Sequence, residues 1–288
     1  MDFYGKITRN RELNQISIYN KIVDNLTEIL HEPPFRIFAR YIISRGTFCS
    51  RTKCKWNAVP RPHYLLGVIA AVTQANSEGR SNISIVEFGV ASGAGLLELE
   101  RYAKLVEQEY DINIKVFGFD TGCGLPNLIA EYRDHPDWWQ SGDYPMSEEA
   151  LRSRLTDRTK LIIGDIKNTI DQFSTYLTSP IGFIAFDLDL YSSTKNALRI
   201  LNFESSTYLN RIYIYFDDID AAHNHKYAGV LTAINEFNER DENTKIDRWR
   251  GVEYDRIWKD DPWLKKMYIA RNLKAISACS SRRESRLL

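Results

Sequence analysis

The ten residues VEFGVASGAG, positions 86–95, follow the β-branched run SNISI and precede the helix-like run LLELERYAKLVEQ. Gly89, Gly93 and Gly95 give this turn the spacing G-x-x-x-G-x-G. Glycine lets the backbone take positive φ angles and approach a ligand closely. A glycine-rich turn between a strand and a helix is typical of sites for nucleotide-like ligands, but a tight strand–helix connection without a ligand uses the same residues.

From residue 84 onward, strand-like runs alternate with helix-like runs. The strand-like runs are nearly continuous in apolar residues, as in parallel strands that are covered on both faces. The alternation predicts a Rossmann-like, doubly wound α/β sheet that is mostly parallel. The last two strand-like runs, IDRWRGVEY and KKMYIARNL, predict an antiparallel edge. The earlier predicted strands are SIVEFGV, NIKVFGFD, KLIIGD, IGFIAFDLDL and RIYIYFDDI, and the predicted helices between them include IKNTIDQFSTYL and STKNALRIL.

The residues before the glycine turn predict an N-terminal helical extension. Apolar residues recur at helical spacing over residues 11–30, and the prolines of EPP end that helix. FRIFARYII and YLLGVIAAVTQAN also predict helices, and residues 45–62 predict a loop between them. We therefore divide the chain into a helical segment or lid at 1–80, a ligand-binding domain at 81–275 and a flexible tail at 276–288.

Composition limits the possible functions. Hydrophobic residues make up 43% of the 288 residues, which is enough for a sizeable core. Lys+Arg and Asp+Glu both number 38, so the basic excess of a nucleic-acid-binding domain is absent. No apolar run approaches the roughly 18 residues of a membrane span, and the first residues lack the apolar core of a signal peptide. We expect a cytoplasmic protein that binds neither nucleic acid nor membrane, with its four cysteines, Cys49 and Cys54 among them, as free thiols.

Acidic residues close the second and third predicted strands. In an open α/β sheet, ligands bind at the carboxyl ends of the strands. Asp120 ends the second strand, where an acid accepts hydrogen bonds from both hydroxyls of a ribose; the same acid also suits a turn cap. The third strand ends at Gly164 and Asp165.

Two more strands end in pairs of acids: Asp187 and Asp189 after the fourth, Asp217 and Asp218 after the fifth. If the fourth strand is still extended, Asp187 and Asp189 point to one face. Carboxylates that converge on one crevice repel each other unless a cation lies among them. Oxygen-only ligands suit a hard divalent ion, magnesium first. The alternatives are pairing with Lys or Arg and helix capping.

The same glycine spacing also opens the NAD(P)-binding short-chain dehydrogenases, which need a Tyr-x-x-x-Lys pair. Tyr191 and Lys195 supply that spacing, and Ser179 lies twelve residues before Tyr191. However, Tyr191 directly follows an acid-ended strand, and this hypothesis leaves the four clustered acids unexplained. Ser192 or Ser193 is predicted to cap the helix that begins here.

A more specific resemblance rests on the motifs EFGVASGAG, VFGFDTGCGLP, LIIGDIKNTI, FDLDLYSSTKNAL and YFDDI, followed by GVLTAINEF. Their order resembles the macrocin O-methyltransferase-like family of macrolide-sugar O-methyltransferases, which are class I S-adenosylmethionine-dependent enzymes. The resemblance covers about residues 84–240, and GFDTxxGLP and DLDLYxST are its most distinctive parts.

The resemblance implies a magnesium-dependent O-methyltransferase that acts on a hydroxyl of a small molecule, a sugar or a secondary metabolite. Glu87 and the glycine turn would hold the methionine part of S-adenosyl-L-methionine, Asp120 its ribose, and Asp165 with its neighbours the adenine. Asp187, Asp217 and Asp218 would bind Mg²⁺, with Asp189 as an alternative ligand. The implied cofactor-binding residues are Glu87, Gly89, Ser92, Gly93, Gly95, Asp120, Thr121, Gly164, Asp165 and Ile166.

The implied chemistry is consistent with these residues. The sulfonium already activates the methyl group, so the protein has to align the acceptor oxygen with it. A divalent cation lowers the pKa of the acceptor hydroxyl, and Asp187 is our candidate for the general base that takes the proton. The alternative is a protein that binds S-adenosylmethionine without transferring its methyl group.

Three further features have open roles. Trp138 and Trp139, between the second and third strands, either wall the acceptor pocket or serve lid and core packing. His223 and His225 either touch metal or substrate or belong to a surface loop. The N-terminal helices either cover the site or form the interface of a homo-oligomer.

Overall fold

The computed structural model describes residues 34–128, 131–221 and 223–278. The predicted helix at 11–30 and most of the predicted tail lie outside the described residues. The strands are Asn82–Phe88 (β1), Asn113–Asp120 (β2), Thr159–Ile163 (β3), Ile181–Phe186 (β4), Tyr208–Phe216 (β5), Thr244–Arg248 (β6) and Met267–Asn272 (β7). The α-helices are Phe35–Arg45 (α1), Ser50–Lys55 (α2), Pro62–Ser77 (α3), Ala94–Tyr110 (α4), Glu148–Arg152 (α5), Ile166–Thr169 (α6), Tyr191–Ala197 (α7), Val230–Arg240 (α8) and Leu273–Ala278 (α9). Short 3-10 helices span Tyr132–Asp134, Phe173–Thr175, Leu198–Asn202, Ser205–Thr207, Asp218–Asp220, Val252–Asp255 and Pro262–Lys266.

The strands form one sheet in the order β3-β2-β1-β4-β5-β7-β6. Strands β1 to β5 are parallel, whereas β7 runs antiparallel to both of its neighbours, β5 and β6. The strands that follow β1 are added on one side of it up to β3 and on the other side from β4 onward. At such a switch point, a ligand crevice forms outside the carboxyl ends of the strands. The predicted Rossmann-like, mostly parallel sheet is therefore confirmed. In its antiparallel part, β7 lies between β5 and the edge strand β6.

Apolar residues cover both faces of the sheet. In β1, Ile83 and Ile85 belong to a core that includes α3 and α4, while Val86 and Phe88 belong to a second core that includes α7 and α8. All four side chains are fully buried. This arrangement explains the nearly continuous apolar runs, because a parallel strand between two helical layers needs apolar residues on both sides.

The loop predicted at residues 45–62 is wrong in its middle, because α2 lies there. The backbone N–H of Ser50 and its hydroxyl donate to the carboxylate of Glu109 in α4, at 2.8 Å and 2.6 Å, which caps the start of the helix. Within the helix, Cys54 is buried and accepts a hydrogen bond from Arg256 at 3.1 Å. The helix therefore depends on partners that are distant in sequence.

The helix predicted over IKNTIDQFSTYL is also shorter than expected. The chain forms one α-helical turn at Ile166–Thr169 and a 3-10 turn at Phe173–Thr175. β-Branched residues and serine are weak helix formers, so local propensity here does not sustain a longer helix. Ile170 and Phe173 are nevertheless buried in the second core.

Helix α1 confirms the predicted helical run, but its orientation is unusual. Arg36 lies 3.6 Å from a carboxylate oxygen of Asp261, and Arg40 donates to the carbonyl of Asn57. The apolar side chains of Phe35, Ile37, Phe38 and Tyr41 are exposed instead. Within the described part of the chain, no helix is both long and apolar enough to cross a membrane.

Candidate active site

A cavity of about 430 Å³ opens at the carboxyl ends of the parallel strands. Its size lies within the range of small-molecule sites, roughly 300–1,000 Å³. Of the cofactor-binding residues that the sequence implies, all but Gly93 line it. Gly93 instead occupies the N-cap position before α4, and a side chain there would meet Leu151. The metal-binding candidates Asp187, Asp217 and Asp218, together with Asp189, line the same cavity.

Two glycines of the turn are required by close neighbours. Gly89 has φ +83°, and a Cβ atom there would overlap the backbone carbonyl of Asp187. A Cβ atom on Gly95 would overlap the carboxylate of Glu87. The turn therefore brings the start of α4 against the end of β1 and the end of β4, which only residues without a side chain permit.

Glu87 is buried at the end of β1 with one of its oxygens unpaired. The hydroxyl of Tyr64 in α3 donates to Oε1 at 2.6 Å. Oε2 is buried and has no hydrogen-bond partner among the described residues. Burial raises the pKa of Glu87 to about 8, and the hydrogen bond from Tyr64 opposes part of that rise. A buried acceptor without a partner is costly, so this oxygen fits a ligand that brings a donor or a positive charge.

Asp120 fastens the end of β2 to the glycine turn. Its Oδ2 accepts from the backbone N–H groups of Val90 and Ala91 at 2.9 Å and 2.8 Å, and its Oδ1 accepts from Gly122 at 2.7 Å. The turn-cap alternative is thus present in the structure. An ionised carboxylate has about four acceptor positions, so capacity remains on the carboxylate for a ribose hydroxyl.

The remaining cofactor candidates lie around the far end of the cavity. Asp165 caps α6, because its Oδ1 accepts from the N–H of Lys167 at 2.8 Å. Ile166 is nearly buried beside it, and Gly164 takes φ +136°. This region supplies an apolar side chain and a carboxylate, the two features that the family resemblance implies for adenine binding.

Three carboxylates converge at the ends of β4 and β5. One oxygen from each of Asp187, Asp217 and Asp218 lies within 4.8 Å of the others. Burial and the charges of Asp217 and Asp218 raise the pKa of Asp187 to about 7. Burial and the neighbouring acids, Asp189 first, also raise the pKa of Asp218. The donor set is all oxygen and carries excess negative charge, so it fits a hard divalent cation.

Cationic side chains approach this cluster without neutralising it. An Nη1 atom of Arg61 lies 3.9 Å from Oδ2 of Asp187, and Nζ of Lys266 lies 3.6 Å from Oδ1 of Asp217. Tyr215 donates to Asp217 at 2.5 Å. The pKa of Asp187 remains raised despite Arg61 and Lys266, so repulsion and burial outweigh these contacts.

The extended conformation expected at Asp189 is wrong. Strand β4 ends at Phe186, and Asp189 takes φ +59°, in the left-handed region that Asp tolerates better than most residues. Its backbone N–H donates to Oδ2 of Asp218 at 3.0 Å. Asp189 therefore lines the cavity and holds Asp218, but its carboxylate lies outside the group of three.

Neither Ser192 nor Ser193 caps α7, contrary to the prediction. The helix begins at Tyr191, with Leu190 at the cap position. The N–H of Ser192 instead donates to Oδ1 of Asp134 at 2.7 Å. The cap comes from a buried residue of the insertion between β2 and β3, which local sequence does not reveal.

The Tyr-x-x-x-Lys pair has a structural role away from the cavity. Lys195 donates to the hydroxyl of Tyr191 at 2.7 Å, and that hydroxyl donates to Glu236 at 2.8 Å. Ser179 meets Ser84 near the start of β1, at the opposite end of the sheet. None of these residues lines the cavity, so the arrangement of a dehydrogenase site is not formed.

The insertion between β2 and β3 supplies the aromatic wall of the cavity. Trp139 and Tyr144 line it, whereas Trp138 does not and instead stacks on His223 with 5.1 Å between ring centroids. The insertion therefore lines the cavity through Trp139 but not Trp138. Likewise, His223 lines the cavity and His225 does not.

Arg61 is one of the lining residues that sequence reasoning missed. It lies between Pro60 and Pro62, before the first turn of α3, and reaches the cavity from the segment predicted as an extension or lid. The available signal was the triplet PRP at a helix start, where proline is favoured. That signal locates the helix but does not show where the arginine side chain lies.

The overall architecture is shared with methyltransferases of known structure. No protein-family model matches the chain, and no curated protein matches its sequence. CalS11, a calicheamicin methyltransferase, superposes with a TM-score of 0.50 and 19% identity over 83% of this chain and 93% of its own. The O-methyltransferase NovP gives 0.43 and 18% over 71% and 89%, and an O-methyltransferase from Bacillus cereus in complex with SAH gives 0.40 and 14% over 80% and 94%. The likeness to CalS11 shows that the fold is that of the class I methyltransferases.

Proposed function

We propose that the protein is an S-adenosylmethionine-dependent O-methyltransferase that acts on a hydroxyl of a small molecule. The observation that carries this proposal is the combination, in one cavity, of the unpaired Glu87 oxygen, the Asp120 carboxylate and the three-acid cluster. A fold shared with CalS11 supports it. Fold alone does not define activity, whereas these side chains supply groups that can bind the donor and a cation.

The methyl donor is expected to lie along the carboxyl ends of β1, β2 and β3. The buried Oε2 of Glu87 suits the ammonium of the methionine part, because a charge-assisted hydrogen bond removes the cost of its missing partner. Asp120 has acceptor capacity for the ribose hydroxyls. Asp165 and Ile166 suit the amine and the face of an adenine.

Asp187, Asp217 and Asp218 are proposed to bind Mg²⁺. When bound, the ion would orient the acceptor and lower the pKa of its hydroxyl. A bond then forms between the acceptor oxygen and the methyl carbon, and the bond from that carbon to sulfur breaks. Asp187, which lines the cavity beside Arg61, is the proposed base that takes the hydroxyl proton.

The acceptor is proposed to be a polyhydroxylated small molecule, a sugar or a secondary metabolite. Trp139 and Tyr144 offer it aromatic surface, and Asp143 and Asp189 offer hydrogen-bond acceptors on the same cavity. Apolar walls with a few placed polar groups are typical of sites that orient a small ligand. Homo-oligomer formation and a cytoplasmic location stay predictions of the sequence.

Calorimetry and a turnover assay together test this function. The chain is expected to bind S-adenosylmethionine and S-adenosylhomocysteine, and Asp187→Asn is expected to keep binding and lose turnover on a panel of sugars and phenolic glycosides. The absence of binding to either nucleoside refutes the proposal. Binding without methyl transfer to any acceptor of the panel would favour a cofactor-binding protein without transferase activity.

A further inference from the structure

We propose that Arg61 binds the carboxylate of the methionine part of the methyl donor and, with Glu87, forms a clamp for the amino-acid zwitterion. The inference rests on the proposed function and extends it to a residue outside the sheet and the glycine turn. It predicts that recognition of the donor depends on its carboxylate as well as on its adenosine.

The backbone of Arg61 is held in an uncommon conformation that directs the side chain to the cavity. Its φ is +44°, in the left-handed region, and it lies at the cap position of α3. The prolines on both sides restrict the neighbouring backbone. The carbonyl of Pro60 is fixed further by a hydrogen bond from Tyr102. A non-glycine residue in this region stores strain, and such strain is concentrated at functional sites.

Within the part of the chain that the structure describes, the guanidinium of Arg61 donates no hydrogen bond. Among the described residues, its closest acidic contact is Asp187 at 3.9 Å, which is too long for a hydrogen bond, and its side chain is 33% exposed. It lies 5.3 Å from the ring centroid of Tyr64. Guanidinium has five N–H donors in a planar fork that matches a carboxylate. A ligand carboxylate could therefore accept the hydrogen bonds that Asp187 is too distant to accept.

Arg61 and Glu87 are linked through one short segment of α3. Tyr64, one turn after Arg61, contacts the arginine with its ring and donates to Glu87 with its hydroxyl. The chain thereby places a permanently charged cationic group and a buried carboxylate on the wall of one cavity. A ligand with neighbouring ammonium and carboxylate groups complements both, whereas an adenosine without an amino-acid part complements neither.

The alternative is that Arg61 serves only to offset the charge of the acid cluster. That role needs proximity to Asp187, which the structure shows, but it makes no use of the fork of unpaired donors. The two roles differ in their dependence on the ligand. Charge offset alone does not require a ligand carboxylate, whereas loss of the clamp weakens only the binding of ligands that carry one.

The test is calorimetry on the full chain with three ligands: S-adenosylhomocysteine, its decarboxylated analogue and 5′-methylthioadenosine. The variants are Arg61→Met, Arg61→Lys and the control Arg250→Met, whose exposed arginine pairs with Asp247 away from the cavity. Arg61→Met should weaken the binding of S-adenosylhomocysteine by about tenfold or more, as expected for a hydrogen-bonded charge. The binding of the other two ligands should weaken by less than about twofold, Arg61→Lys should be intermediate, and Arg250→Met should match the wild type.

The outcomes separate this inference from the proposed function. If the wild type binds none of the three ligands, the proposed function fails and the inference with it. If the wild type binds all three equally, or if Arg61→Met weakens all of them equally or none, only the clamp is overturned. Circular dichroism and thermal melting of each variant establish that a lost interaction is not a lost fold.

Discussion

The hydroxyl of Tyr64 donates to Oε1 of Glu87 at 2.6 Å, and Oε2 of the same carboxylate remains buried without a partner among the described residues. One helix of the N-terminal segment therefore fixes the acid that the first strand presents to the cavity. This arrangement prepares the carboxylate for a cationic group of a ligand.

Cofactor binding is expected to release a proton near neutral pH. The raised pKa of Glu87, about 8, keeps most of this carboxyl protonated at pH 7, and an ammonium ligand requires the ionised form. Calorimetry at pH 7 in two buffers of different ionisation enthalpy should show release of close to one proton per S-adenosylhomocysteine bound. Glu87→Gln should bind about tenfold or more weakly and release almost none. Equal proton release in both proteins would contradict this role of Glu87.

Removing one acid of the cluster should stabilise the metal-free protein above neutral pH. The pKa of Asp187 is raised from 3.8 to about 7, so the folded state holds a proton that the unfolded state loses. Ionisation of Asp187 therefore costs no folding stability below about pH 4. The loss of stability grows as the pH rises toward about 7 and reaches its full size above that pH. In EDTA, Asp187→Asn should raise Tm at pH 8 by a few degrees, given about 2–4 °C per kcal/mol, and by less at pH 5.

Scanning fluorimetry of both proteins across this pH range supplies the measurement. A lower Tm for Asp187→Asn at pH 8 in EDTA would show that the contact with Arg61 outweighs repulsion within the cluster.

Magnesium should remove the loss of stability that ionisation of Asp187 causes in the wild type. A ligand that binds only the folded state raises stability with its concentration, and bound Mg²⁺ relieves the repulsion among Asp187, Asp217 and Asp218. Millimolar Mg²⁺ should raise the wild-type Tm more at pH 8 than at pH 5, because protons compete with the ion. Asp218→Asn should lose the response, and the control Asp220→Asn, an exposed residue of the same 3-10 turn outside the cluster, should keep it. An identical Mg²⁺ response in both variants would argue against this metal site.

Tyr191→Phe should leave cofactor binding intact and lower stability. The tyrosine hydroxyl joins Lys195 and Glu236 and accepts from Arg133 at 2.7 Å, all away from the cavity. Loss of a hydrogen bond to charged partners is expected to cost about 1–3 kcal/mol. Urea unfolding gives the stability, and calorimetry with S-adenosylhomocysteine gives the binding. Loss of binding with unchanged stability would place Tyr191 in the site, as the dehydrogenase hypothesis requires, and NADH titration provides a direct comparison.

The parts of the fold that could be predicted are those determined by local pattern. Parallel strands buried on both faces produce apolar runs, and their carboxyl ends carry Asp120, Asp187 and Asp217 in register. Because a parallel sheet brings these ends to one edge, the sequence alone located the acid cluster and the glycine turn. The same rule predicted that the motifs meet, and nearly all of the residues that they name line one cavity.

The parts that could not be predicted depend on distant partners or on single dihedral angles. Helix α2 needs Glu109 at its start, and α7 is capped by Asp134 from another segment. Asp189 leaves the strand through one positive φ angle. Arg61 reaches the cavity because α3 packs across the sheet, which its own sequence does not specify. Tertiary context decides each of these positions, and periodicity carries no signal for it.

Isothermal titration of the full chain with S-adenosylhomocysteine, at pH 8 with millimolar Mg²⁺, tests the central claim most directly. We predict one ligand bound per chain, with affinity reduced about tenfold or more by Glu87→Gln. No binding of S-adenosylhomocysteine by a folded wild-type protein would contradict the assignment of this cavity to a methyl donor.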